Sequence, residues 1–544
     1  MSKTTISQLF STVIAVLLMS IANPAIAQKA ALKYANALYS DMSLQKAIVA
    51  YLDILDRRDV AEAKINLADC YRRIGNTSEA EYWYGQVVHL PEAKPIHKLY
   101  YGMALQSDNK CEQAQKWFDE YARLEPNDLR GQLLAKSCGS VLVSDLLSRS
   151  AEFYEVKTLP TPVNSNFRDF GPSFYTDGTK EGIVFASSRD LGSVVVNKDM
   201  MSGEGFLDAF FTEIKKTGLE EVKSSEFVNG FSKPVKFSNK LNTTLHDGPF
   251  CFSPDGNTVF MTRTNTSGKS DDKFRKLKIY FASKDGKTGW SDSRGVPFNS
   301  DEYSVCHPSL SADGNTLYFA SDMPTGFGGY DIYKSILENG RWGPPINLGP
   351  EINTEGNEVY PFIHQSGDLY FSANGRAGLG GYDVYYIKTG IESDGKVSNV
   401  GYPVNSTADD FSFVMNPDRS MGFFSSNRNG GAMGDDIFQF KRLAVEVNVL
   451  VVDKTTGKPI GNAAIMTGCG SKRFTTDEYG KFVMELPLDK CCEFGASKEG
   501  YSSTSKEICT KGKQPGQLLR LRLELDGDTR REVPLAGIIK DKKG

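Results

Sequence analysis

Residues 307–333 read HPSLSADGNTLYFASDMPTGFGGYDIY. Leu317-Tyr318-Phe319-Ala320-Ser321 is an aromatic, β-prone run preceded by Asp313-Gly314, the dipeptide of a tight hairpin turn. A glycine-rich turn follows, and then a second aromatic run, Gly329-Tyr330-Asp331-Ile332-Tyr333. Strands joined by Asp-Gly and Gly-Gly turns form antiparallel hairpins. The stretch therefore predicts one small meandering sheet.

The unit is repeated outward in both directions. A hydrophobic residue followed by Asn and then Ser or Thr occurs at Val163-Asn164-Ser165, Leu241-Asn242-Thr243, Phe298-Asn299-Ser300, Ile352-Asn353-Thr354 and Val404-Asn405-Ser406. The first four copies then reach Pro172, Pro249, Pro308 and Pro361. Strands equivalent to 317–321 follow at Ile183–Ser187, Val259–Thr262, Leu369–Ser372 and Gly422–Ser426. Gly381-Tyr382-Asp383-Val384-Tyr385 and Gly434-Asp435-Asp436-Ile437-Phe438 match the second run. This resembles the TolB-like family of WD-type propeller repeats, which implies a β-propeller over residues 151–442. Five blades are expected, or six if the 78-residue interval between Asn164 and Asn242 hides a degenerate one. Residues 153–165 carry the same lead-in as 346–354, so they are expected to supply the outer strand of the last blade and remove its open edge. Asp331, Asp383 and Asp436 read as caps of nearby turn amides, not as a ring of ligands.

A different period precedes the sheets. Leu67, Ala68, Tyr71, Ala80 and Tyr84 are matched 34 residues later by Tyr101, Gly102, Leu105, Ala114 and Phe118, and an earlier copy has Ala35, Leu38, Ala47 and Tyr51. The pattern resembles the tetratricopeptide repeat and implies an all-α solenoid over 28–150. Arrays of that family hold peptides in a concave groove. The resemblance gives Asn36, Asp69, Arg72, Met103 and Gln106 as partner-binding candidates. After the propeller, residues 443–531 carry VVDKTTGKPIGNAAI, TTDEYGKF and KEGY, and resemble the carboxypeptidase regulatory-like β-sandwich. Residues 532–544 resemble the opening of a further module, so the native chain is expected to continue past Gly544.

Residues 1–27 read as a secretory signal: Lys3, an apolar run from Leu9 to Ala22, and Ala25-Ile26-Ala27 before an expected cleavage between Ala27 and Gln28. Nine cysteines suit an oxidising compartment, with one or two disulfides expected among Cys469, Cys491, Cys492 and Cys509. The net charge of −4 provides no basic field for nucleic acid. The five histidines form no metal set: His89-Leu90-Pro91-Glu92 lacks a third ligand, and His307 beside Cys306 reads as packing. Without a nucleophile elbow or a phosphate loop, no catalytic residue, cofactor or metal is expected, and the chain reads as non-enzymatic.

Signal, helical repeats, propeller and sandwich in this order resemble the PorE-type proteins of the type IX secretion system. The resemblance implies a periplasmic scaffold at the inner face of the outer membrane. Such a scaffold joins outer-membrane barrel proteins of the PorP kind, and other secretion components, to the cell wall. Peptidoglycan binding in that family belongs to a C-terminal OmpA-like domain, so it is expected only if such a domain follows. The competing expectation is a TolB-like sensor or adaptor whose propeller captures a peptide or glycan.

Overall fold

The alternating small and large residues of the N-terminal stretch fold as antiparallel helix pairs in the computed structural model. It describes residues 24–139, 146–147, 152–189, 198–214, 230–266, 268–271, 274–286, 289–388, 395–429, 434–469 and 473–527. Seven helices are seen there: α1 (Pro24–Ser40), α2 (Leu44–Arg57), α3 (Ala61–Arg73), α4 (Thr77–Val87), α5 (Pro95–Ser107), α6 (Cys111–Leu124) and α7 (Arg130–Ser137). Tyr51, Tyr84 and Phe118, one per pair at the period of the repeat, are fully buried. Gly102 is small because a Cβ there would lie 2.6 Å from the Phe118 ring. Local signals set the helix starts: the Asn76 side chain accepts from Glu79 N–H at 3.2 Å, and Pro95 opens α5. A disulfide between Cys111 and Cys138 ties the start of α6 to the end of α7. No helix among the described residues is long and apolar enough to cross a membrane. The expected signal, apart from residues 24–27, and the expected module opening at 532–544 lie outside the described residues.

The chain divides into two compact units, residues 1–417 with 421–441, and residues 418–420 with 442–544. In the first unit the helices are followed by five antiparallel sheets. Their first strands are Asp169–Thr176, Asp247–Phe252, Val305–Leu310, Glu358–Ile363 and Asp410–Met415. Each first strand packs on the first strand of the next sheet, and the fifth packs on the first, which closes a propeller-like ring. The first and second sheets touch directly, and among the described residues of the 78-residue interval there is no further sheet between them. Tyr154–Thr158 pairs with Asp436–Arg442 as the outer strand of the fifth sheet. The edge is closed by the segment whose lead-in matched 346–354.

The second unit holds two sheets. One has Lys481–Pro487, Ala444–Asp453 and Leu518–Leu525; the other has Arg473–Thr475, Ala464–Thr467, Cys491–Ser497 and Thr504–Cys509. Strand alternation places Val445, Val447, Val449 and Val451 on one face. They are buried with Leu521, Leu523 and Phe494. Disulfides Cys469–Cys492 and Cys491–Cys509 staple the second sheet. Cys70, Cys251 and Cys306 are free thiols.

Candidate binding funnel at the open end of the ring

The repeated asparagine is architecture. Asn353 Oδ1 accepts from Ile332 N–H at 2.8 Å and its Nδ2 donates to Ile332 C=O at 3.0 Å. Asn405 makes the same pair with Val384 at 2.8 and 2.9 Å, and Asn299 with Ile279 at 3.0 and 2.7 Å. Asn164 joins the last sheet to the first through Ile437 at 2.9 and 3.0 Å. The residue after each Asn starts a second device. Ser406 N–H donates to Asp410 at 2.6 Å, and Thr354 N–H to Glu358 at 2.9 Å. Arg428 then pairs with Asp410, Arg189 with Asp169, and Arg263 with Asp247 at 2.6 Å. The third sheet has Ser304 in place of the acid. Burial pushes the Glu358 carboxyl up to about 7. Asp331 accepts from Phe327 N–H at 2.7 Å and Asp383 from Leu379 N–H, as turn caps. The loop that Asp436 would cap lies partly outside the described residues.

These loops occupy one end of the ring, and the helices meet it. Gln106 Nε2 donates to Gly378 C=O at 3.3 Å, and Gly378 N–H donates to Ser137 Oγ at 3.0 Å. Met201, from the second-to-third connection of the first sheet, packs into the core of the helical array. Of the groove candidates, Gln106 is buried against the chain's own loop. Asn36 is held by Tyr51 Oη at 2.7 Å and Asn66 Nδ2 at 3.1 Å. Asp69 pairs with Arg72 at 2.5 Å, with Arg73, and accepts from Tyr39 Oη at 2.6 Å. Arg72 lies over the Tyr100 ring at 4.1 Å, and Met103 is half-buried against the core that α5, α6 and α7 share.

Antiparallel order puts the first-to-second hairpins at the opposite end, where the ring opens into a funnel of 430 Å³. Pro172, Pro249, Pro308 and Pro361 line it with Phe250, Phe362 and Phe413. Every first strand carries a β-bulge at this level. The bulged residue has positive φ: Gly171 (69°), Gly248 (112°), His307 (55°), Tyr360 (50°) and Ser412 (53°). Glycine adopts this backbone freely; a bulky residue there is strained by about 1–3 kcal/mol. His307 and Tyr360 stack at 3.8 Å with an 11° interplanar angle and form part of the lining. Tyr360 lies 5.0 Å from Phe411, and Phe411 is 6.0 Å from Phe170, so aromatic rings continue across the axis. His307 N–H donates to Thr262 Oγ1 at 2.8 Å, and Nδ1 accepts from Tyr360 N–H at 3.4 Å. Burial pushes the imidazole down to about 3, so it is neutral at physiological pH. Burial also pushes the Cys251 thiol up to about 12, so it is held as the thiol. The sequence alone reads His307 as packing and singles out no role for Tyr360, although a signal of their pairing is present: both stand before proline where the first two repeats have glycine.

Among the described residues, Cys491, Glu507 and Cys509 alone approach a metal-binding spacing, and the two cysteines are joined to each other in a disulfide. No protein-family model matches the chain, and no curated protein matches it. Solved structures do. TolB from Acinetobacter baumannii is 12% identical over 52% of this chain and 60% of its own, with a TM-score of 0.28. Zg3597, a family 117 glycoside hydrolase produced by the marine bacterium Zobellia galactanivorans, is 11% identical over 53% and 90%, with a TM-score of 0.35. A gluconolactonase from Xanthomonas campestris is 12% identical over 53% and 90%, with a TM-score of 0.29. The chain spans three fifths of that TolB and most of the two enzymes. At these values none of them carries an argument about the chemistry of this chain. Their presence does correct one expectation, that the chain is not an enzyme: a glycoside hydrolase and a gluconolactonase stand among its structural neighbours.

Proposed function

We propose that the protein is an exported envelope component that binds another protein through the funnel of a five-bladed, TolB-like propeller. In this reading the helical array is a tetratricopeptide solenoid that braces the propeller, and residues 443–531 form the regulatory-like sandwich. One observation carries it: the chain's own helices meet the loops at one end of the ring, and the other end opens as an apolar funnel. Apolar concavities with a few polar groups are binding sites by default. Three disulfides support export to an oxidising compartment such as the periplasm. The resemblance to PorE-type proteins makes an outer-membrane barrel of the PorP kind the first partner to test, with the protein joining that barrel to the secretion machinery. A photo-crosslinker at the exposed rim residue Ala312 tests this in intact cells. Recovery of an outer-membrane barrel protein is expected. Recovery of soluble peptides or sugars alone would replace the link with a sensor or adaptor.

A further inference from the structure

Cys491 and Cys492 are neighbours in the chain, yet each belongs to a different disulfide. Strand alternation sends their side chains to opposite faces of one sheet in the second unit. Cys492 is 1% exposed, lies in the core with Phe494 and is bridged to Cys469. Cys491 is exposed and is bridged to the half-buried Cys509. This second pair stands directly opposite on two strands that are already hydrogen-bonded neighbours, Cys491–Ser497 and Thr504–Cys509. An exposed disulfide is one that a thiol can reach, and such bonds are the labile ones.

The face around this bond carries further donors. Glu493 and Glu507 are also directly opposite each other, one step along the same face from the cysteine pair. Like charges so placed repel, and a cation between the strands would relieve them. Ser505 Oγ donates to Glu493 at 2.6 Å, and Glu507 Oε2 lies 3.9 Å from Cys509 Sγ. One ligand atom each from Cys491, Glu507 and Cys509 lie within 4.8 Å of one another. Two thiolates and a carboxylate with an open fourth position suit Zn²⁺, whereas Mg²⁺ and Ca²⁺ take oxygen ligands. While the disulfide stands, the two sulfurs are bonded to each other and the set cannot form.

We propose that Cys491, Cys509 and Glu507 are a reduction-gated site for a thiophilic divalent cation, Zn²⁺ by its donors, shut while the disulfide stands and opened by a dithiol. Attack falls on Cys491, the more exposed cysteine. One thiolate of the dithiol bonds to Cys491 Sγ, the S–S bond breaks, and Cys509 leaves with the electron pair and takes a proton. The second thiolate of the dithiol attacks its own bridged sulfur, Cys491 leaves in turn, and the reductant departs as a disulfide. The chain has gained two electrons and two protons as two thiols. Cation binding releases those two protons, and the sulfurs part to the spacing of two ligands on one ion.

The test takes the full chain through increasing dithiothreitol and counts freed thiols by alkylation and mass. The reductant is then removed without air and Co²⁺ is titrated, its thiolate charge-transfer band reporting sulfur ligation. Cys491 and Cys509 are expected to be freed first, with Cys469–Cys492 still closed. The reduced chain is expected to take one Co²⁺ with that band and to lose it to Zn²⁺. The oxidised chain and the double variant Cys491→Ser, Cys509→Ser are expected to lack the band. Glu507→Gln is expected to weaken Co²⁺ at least tenfold with both thiols still counted. If the double variant does not fold, Glu507→Gln, which keeps the disulfide, carries the comparison. Earlier opening of Cys469–Cys492 overturns the proposal. So does a reduced chain without the band, a band that survives in the double variant, or equal affinity in Glu507→Gln. Loss of the sheet's circular dichroism when this one bond is opened also overturns it, by making the bond a staple.

Discussion

The two ends of the ring are built on opposite rules. At the end that meets the helices, the five repeats keep Asn and spend it on the same bonds, two to the backbone of the neighbouring sheet. At the funnel end they share a backbone shape and differ in the residue that occupies it: Gly, Gly, His, Tyr and Ser. Sameness across repeats marks what every blade needs in order to join the next. Difference at a structurally equivalent point marks what one place in the ring does alone. A repeat protein thus provides its own internal control for separating architecture from binding.

The comparison can be broken first at the buried ion pairs. Arg263→Met leaves Asp247 buried without its cation and should cost about 3–5 kcal/mol in a denaturant titration. A cost under 1 kcal/mol would remove the pairs from the architecture. Next, Asn405→Ala unpairs the N–H of Val384 and takes one of two donors from its C=O, which keeps Val400 N–H at 3.0 Å, and should cost about 1–3 kcal/mol by the same measurement. A smaller effect is expected from pH. Asp383 and Glu358 are buried, and their carboxyls are pushed up to about 8 and about 7. The folded chain then keeps protons that the unfolded chain releases near pH 4. Stability contributed by these groups is full below about pH 4 and is lost as pH rises through their folded values, by up to about 1.4 kcal/mol per pH unit per proton. Asp383→Asn should flatten that fall in urea titrations between pH 5 and 8, while an unchanged slope would place the proton elsewhere. The smallest change is expected at the funnel end: Ser412→Gly should alter stability by less than about 1 kcal/mol, since relief at φ 53° is offset by the entropy of glycine. A cost like that of Asn405→Ala would erase the distinction between the ends.

Much of this was legible in the chain because repetition multiplies weak signals. The 34-residue offset found the helix pairs, and Tyr51, Tyr84 and Phe118 are buried as that spacing implies. The hydrophobic-Asn-Ser/Thr motif located each of the five sheets of the ring, and the matching lead-in at 153–165 anticipated the strand that closes it. What was not legible depends on partners far apart in sequence. Gln106 belongs to a helix pattern, yet its side chain meets Gly378, 272 residues away. The groove was projected from the helices alone, without the loop that stands against one of its residues. His307 and Tyr360 are 53 residues apart, and only the closed ring brings their rings to 3.8 Å.

The sequence by itself determined the local units, because side-chain size at period 34 and turn residues between aromatic runs act over a few residues of chain. Which surfaces stay open was decided by the tertiary structure alone. Ring closure and helix docking are long-range packing events, and they set one end of the ring against the helices and leave the other as a funnel lined by aromatic side chains.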